Sequence, residues 1–170
     1  AFAAGAAFEE LVETALRNPH VIALTTAVFG ILLWAADRLG GRRRPLEALG
    51  WSDALLIGLA QAMALVPGVS RAGVTMTAAR ALGLDRRSAV RFSFLLAIPV
   101  ILGASVFKAI DLAGSPQPMS WYAFGLGVVV SACSAWCVLV VFLRVIENSG
   151  MLVFVLYRLL FAAFLFYWFQ

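Results

Sequence analysis

Charge is scarce in this chain. Only 13% of its 170 residues are Asp, Glu, Lys or Arg, while 63% are apolar and the mean hydropathy is +0.95. A soluble domain is normally about 45–50% apolar, and a chain of this size has no core large enough to hide the excess. The composition excludes an ordinary soluble domain and implies an integral membrane protein. The net charge of +4 is small and gathered in a few loops, so it speaks to topology. With no basic stripe on a soluble face, nucleic-acid binding is excluded. Histidine occurs once, as His20, and cysteine twice. Cys133 and Cys137 stand four apart in an apolar run, so they share a helical face and are expected to be buried small residues. Two cysteines build neither a zinc site nor a disulfide framework. The chain opens on Ala1 with no basic n-region, so no signal peptide is read. The missing initiator methionine points to part of a longer chain.

What is present is a set of apolar runs broken by short polar loops. In "GAAFEELVETALRNP", Phe8, Leu11, Val12, Ala15 and Leu16 share a helical face opposed by Glu9, Glu10 and Glu13, which read as a solvated face rather than metal ligands. Asn18 and Pro19 then look like the N-cap and first residue of a helix reaching about Ala36. Its end, "DRLGGRRRP", carries Arg38, Arg42, Arg43 and Arg44, a cytoplasmic loop by the positive-inside tendency. The run from Trp51 to Val66, capped by Ser52 or Asp53, reaches only about 24 Å, short of the ~30 Å hydrocarbon core. Pro67 and Gly68 break it, and a second short helix follows from about Ala72 to Leu82. Arg86, Arg87 and Arg91 come next, so both flanks of the broken segment are arginine-rich. Residues 51–83 are therefore expected to be a re-entrant helix–loop–helix that enters and leaves by one face. Three further spans follow: one with a kink at Pro99, one from Trp121 before an internal "RVIENSG" loop, and one closing the chain. Trp34, Trp51, Trp121 and Trp168 fall near the span ends as an interfacial belt. The expected fold is an all-α, polytopic transmembrane helix bundle forming a single membrane domain over 1–170.

The stretch "LVPGVSRAGVT", Leu65 to Thr75, is polar at membrane depth. Irregular backbone there is tolerated only where it is buried in protein or lines a cavity, and a charged side chain there reads as functional by default. Gly68 allows close approach of backbone, Ser70 and Thr75 are polar neighbours, and the first N–H groups of the following helix lack intrahelical partners. A helix N-terminus together with the planar fork of Arg71 makes an anion site, most simply for phosphate. The competing reading pairs Arg71 with an acid or carbonyls elsewhere in the bundle. Gln61 either bonds a neighbouring helix or faces the site. Arg80 is near the interface and can snorkel, and Arg91 and Arg158 are secondary candidates that helix pairing explains equally well.

"GLAQAMALVPGVSRAGVT", Gly58 to Thr75, resembles the second signature of the bacterial undecaprenyl-diphosphatase family of the bacitracin-resistance type, as do "LGLDRRSAVRFSFLLAIPVILGA" downstream and the closing Tyr157–Arg158. The resemblance runs over essentially the whole chain. It implies a polytopic enzyme of the bacterial inner membrane that hydrolyses undecaprenyl diphosphate to the monophosphate carrier used for cell-wall polymers. It implies inverted repeats, each with a re-entrant helix–loop–helix, and a site open to the periplasm. Carried over, Ser70 and Arg71 hold the diphosphate as the catalytic pair, with Gly68, Thr75 and Gln61 completing the substrate pocket. A divalent metal, Mg or Ca, is expected, with ligands and nucleophile in a first repeat absent here. Neither its glutamate pair nor its Ser-x-Gly-His run occurs, so no metal ligand is assigned in this chain. Ala72 stands where the family usually has serine, and Leu65 where the first repeat has its second glutamate. The chain reads as the C-terminal part of the enzyme, inactive alone. Its partners are the lipid substrate and membrane lipid, and a homodimer is compatible with the resemblance. Broken helices with an anion site at the midplane also fit a polyprenyl-phosphate or anion transporter or flippase.

Overall fold

The computed structural model describes residues 18–40, 44–113 and 120–169. The acidic face at Glu9, Glu10 and Glu13, the arginines Arg42 and Arg43, and most of the external loop after Ala113 lie outside the described residues. Within them the chain is all-α, with six α-helices and no strand: α1 (Pro19–Leu39), α2 (Trp51–Ala62), α3 (Arg71–Ala81), α4 (Arg86–Ala113), α5 (Trp121–Ser149) and α6 (Leu152–Trp168). Of these, α1, α4 and α5 are long and apolar enough to cross a membrane, which makes the bundle polytopic.

Local chemistry sets the boundaries. Asn18 caps α1, its Oδ1 accepting from the His20 N–H at 2.9 Å, with Pro19 in the first turn as the sequence predicts. At α2 the cap is Gly50, not Ser52 or Asp53. Asp53 instead occupies the third helical position and reaches back to the Gly50 N–H at 3.2 Å. Ser70 caps α3, its Oγ accepting from the Gly73 N–H at 3.1 Å. That helix stops at Gly83, which takes φ +88° and lets the Leu84 N–H return to the Ala79 carbonyl at 3.1 Å. Pro99 lies inside α4, which continues through it. "RVIENS" is not the loop expected from its polarity. It continues α5 to Ser149, and the turn comes at Gly150, with φ +69° and its N–H on the Ile146 carbonyl. Polar residues at a span's end remain helical because the backbone ladder still satisfies them.

Two apolar clusters hold the bundle. Leu33, Met76, Val90, Ile146, Met151 and Val155 bring α1, α3, α4, α5 and α6 together, with Phe142 edge-on to both Phe94 and Phe154. Ile57, Ala79, Leu84 and Ala89 seat α2 on α3 and α4. The most extensive helix pairing is α1 against α6. By contrast α5 is exposed from Trp121 to Val138. Cys133 and Cys137 are accordingly exposed rather than buried: an apolar run in a membrane chain need not face protein. The four span-end tryptophans are all exposed, as an interfacial belt requires.

The segment 51–83 folds as a helical hairpin, α2 and α3 packed together and joined by the 3₁₀ turn Met63–Leu65 and the bend at Pro67–Ser70. Its open ends are tied together by Arg44. The Arg44 N–H donates to the Gly83 carbonyl, and its own carbonyl accepts from Asp85 N–H at 2.9 Å. The guanidinium donates to the Leu82 and Ala48 carbonyls and pairs with Asp53 at 2.7 Å. That hydrogen bond, helped by the Gly50 N–H, holds the Asp53 carboxyl below the usual carboxylate range. At the same end Arg80 is fully buried rather than snorkelling. Its Nε meets Asp37 at 3.0 Å, and Arg86 grips the same carboxylate at 2.8 Å. A buried charge needs a partner, and Asp37, in the last turn of α1, supplies one.

Candidate anion site

The tip of the hairpin packs on α1. Gly68 takes φ +86°, and a Cβ there would run into the Thr25 hydroxyl and the Ile22 carbonyl. The tip carbonyls do not go unpaired. Thr25 Oγ1 donates to the Pro67 carbonyl at 2.7 Å, and Thr26 Oγ1 to the Gly68 carbonyl at 3.2 Å. A third donor comes from α6: Arg158 Nη2 reaches the Gly68 carbonyl at 2.9 Å, while its Nε donates to the Thr26 carbonyl at 3.3 Å. Gly30 makes room for this arginine, its Cα facing Arg158 Cβ.

Arg158 is only 3% exposed. Its remaining nitrogen, Nη1, is buried and has no hydrogen-bond partner among the described residues. It lies against Gly73 in the first turn of α3. A Cβ on Gly73 would stand 2.8 Å from Nη1 and 3.1 Å from Ser70 Cβ. A guanidinium donor is thus left unpaired beside Ser70, the cap of a helix N-terminus. Arg158 and Ser70 also line one cavity of about 340 Å³, together with Thr26, Gly68, Val69, Tyr157 and others. A buried unpaired guanidinium N–H costs free energy unless something accepts it. The N-terminal end of α3 adds a partial positive charge. The arrangement fits an anion with several acceptor oxygens.

The candidate residues read from the sequence do not all meet here. Gly68 and Ser70 line the cavity. Arg71 starts α3 but is exposed, and its side chain makes no hydrogen bond or ion pair to another described residue. Thr75 is buried on the far side of the helix, with its hydroxyl 2.6 Å from Ser93 Oγ of α4. Gln61 does not line the cavity, and its Oε1 is buried without a described partner. The arginine that does reach the cavity is Arg158. One signal was available for it: a lone arginine in the middle of "LVFVLYRLLFAAF". Arg91 stands elsewhere, exposed on α4.

The model of the bacitracin resistance protein BacA family matches residues 1–164. This chain belongs to that family. Among its relatives, the undecaprenyl-diphosphatase of Alcanivorax borkumensis is 51% identical over 160 residues, which are 94% of this chain and 60% of the relative. That of Teredinibacter turnerae is 51% identical over 162 residues, 95% of this chain and 61% of the relative. Undecaprenyl-diphosphatase 1 of Pseudoalteromonas translucida is 48% identical over 156 residues, 92% and 59%. The BacA-family chain described here spans about three fifths of the length of these curated relatives. The transporter reading finds no support among them.

Proposed function

We propose that this chain is the C-terminal part of an undecaprenyl-diphosphatase, and that its anion site holds the diphosphate headgroup. The reaction is hydrolysis. Over the whole reaction the terminal phosphorus exchanges its bond to the bridging oxygen for one to the oxygen of water, so that undecaprenyl phosphate leaves and inorganic phosphate is released. The observation that carries the reading is a cavity lined by both Ser70, the cap of α3, and buried Arg158, whose Nη1 has no described partner. Arg158 sits where negative charge must be neutralised as the bridging oxygen leaves. Such preorganised donors in a water-poor site are worth more than in water. The Ser70 hydroxyl, already accepting from Gly73 N–H, keeps its proton free to donate to a phosphate oxygen. Arg71, exposed just after the cap, is a second cation for the distal phosphate. The apolar spans leave the prenyl tail in the bilayer, so that the headgroup alone enters.

The cavity lining offers a guanidinium, hydroxyls and carbonyls, with no carboxylate or imidazole. That set fits an anion and not a divalent metal. The Mg or Ca expected by resemblance is therefore proposed to be held, like the nucleophile, by the part of the relatives' length that this chain does not span. Further elements of the proposal are a bacterial inner-membrane location, an inverted-repeat architecture in the whole protein, and a re-entrant placement of the hairpin. The basic end around Arg44, Arg80 and Arg86 is proposed to face the cytoplasm and the cavity the periplasm, with lipid substrate and membrane lipid as partners and a homodimer as the assembly to be checked by light scattering.

The test is phosphate release from undecaprenyl diphosphate in detergent by the full-length protein, with and without chelator. Release that is lost in Arg158→Ala supports the reading. Undiminished release in that variant, at matched thermal stability, refutes it.

A further inference from the structure

We propose that the groove between α4 and α5 binds an anionic phospholipid, its headgroup phosphate on Arg91 and one acyl chain along Phe94, Leu95, Ile98, Leu139 and Leu143. The groove is a separate cavity of about 560 Å³, also touched by Leu46. Arg91, Phe94, Leu95 and Ile98 follow a spacing of three, four and seven, so they form one stripe along α4 with the cation at its start. Leu139 and Leu143, four apart on α5, form the facing wall.

Two observations select a lipid with a negative head. Apart from Arg91, every lining side chain is apolar, which suits an acyl chain. Arg91 is exposed and its side chain makes no hydrogen bond or ion pair to another described residue, so the head of the groove holds a cation that no described residue compensates. The depth is right for a headgroup. Arg91 is five residues into α4, little more than one turn from Arg86, whose guanidinium belongs to the basic end through Asp37. A guanidinium there can reach interfacial phosphate while its stem lies on apolar surface. The groove is remote from the anion site. Arg158, Ser70 and Gly68 meet at the opposite end of α3 from Arg80, so this lipid is not the one held at Arg158. The inference does not depend on the phosphatase reading.

The experiment is native mass spectrometry of the full-length protein titrated with phosphatidylglycerol or with phosphatidylcholine of the same chains. Wild type is expected to retain phosphatidylglycerol preferentially, and millimolar inorganic phosphate should not displace it. Arg91→Gln should lower that preference about fivefold, the worth of one cation near an anionic lipid surface. Ile98→Trp, at an exposed position that tolerates bulk, should fill the groove and reduce retention of both lipids with Arg91 intact. Three results would overturn the proposal: equal retention of the two lipids by wild type, an unchanged preference in Arg91→Gln, or an Ile98→Trp variant that alters oligomeric state and leaves lipid retention alone. The last would assign the groove to a second copy.

Discussion

Arg158 and Arg71 carry the same charge into different surroundings, and the difference decides what each can do. Arg158 is locked by two carbonyl acceptors, and its whole terminal Nη1 has no partner among the described residues. Arg71 is exposed and untethered. A preorganised donor aimed at developing charge is worth about 10²–10³ in rate, so Arg158→Ala in the full-length protein should lose turnover by about that factor. Arg158→Lys should recover little, because an ammonium cannot serve two fixed carbonyls and an anion from a planar fork. Arg71→Ala should also lose most turnover if the distal phosphate rests on it. Near wild-type turnover in that variant would leave Arg158 as the sole cation of the site. Gly73 provides a sharper case. Glycine to alanine within a helix ordinarily stabilises, by up to ~1 kcal/mol. At Gly73 the added methyl must push Arg158 Nη1 aside, and a displacement of that order costs about 10² in rate. Because Arg158 is buried and held by two carbonyls, Gly73→Ala is expected to lower kcat far more than its modest fall in Tm accounts for. Loss of activity no greater than that of the unfolded fraction would show that the site is merely crowded. The stretch Leu65–Thr75 points to an anion site because arginine, serine and a broken helix stand together in sequence. Arg158 was harder to rank, since its partners Thr26 and Gly68 lie far away along the chain and only packing of α6 on α1 brings them together.

The hairpin of α2 and α3 is closed by Arg44 at its base and seated by Gly68 at its tip. Two short helices and a Pro-Gly break were legible from length and composition. The tie at the base was not, because an arginine in a basic loop reads as a topology marker until its backbone is seen bridging Gly83 and Asp85. The burial of Arg80 is illegible for the same reason: its partner Asp37 sits on another helix. Gly68→Ala should destabilise the protein by roughly 1–3 kcal/mol from backbone strain alone, more if Thr25 cannot retreat, read as a fall in Tm. Asp37→Asn leaves Arg80 buried without its full counter-charge. Breaking such a pair typically costs about 3–5 kcal/mol, so this variant should be among the least stable single changes, by the same measurement. Placement in the membrane is tested by cysteine labelling at Ala48 and Ala81, both exposed. Cys133 and Cys137 must first be replaced, since they are exposed too. Both positions should label from one side, and labelling from opposite sides would mean that the pair of helices crosses.

At the scale of the whole molecule, the described helices divide into a packed half and a bare half. The anion site belongs to the packed half, where α1, α3 and α6 meet. Most of α5 and the second half of α4 touch little protein. The chemistry is divided too. The cavity brings cationic and hydroxyl donors together, which fits the proposed diphosphate. It brings no side chain that would take a proton from water at neutral pH, because neither a carboxylate nor an imidazole lines it. His20, the one histidine of the chain, packs against Phe166 near the start of α1 instead. Residues 1–170 alone are therefore expected to release no phosphate from undecaprenyl diphosphate. General-base assistance is worth roughly 10²–10⁴, and the nucleophile is proposed to lie in the part of the relatives that this chain does not span. Supplying the remaining part of a full-length relative in trans should restore release, and Arg158→Ala in this chain should abolish the restored activity. The measurement is inorganic phosphate produced by the purified chain, by the reconstituted pair and by the variant pair. Metal-dependent release by residues 1–170 alone would overturn this division of labour and place the base among groups of this chain that the cavity does not contain.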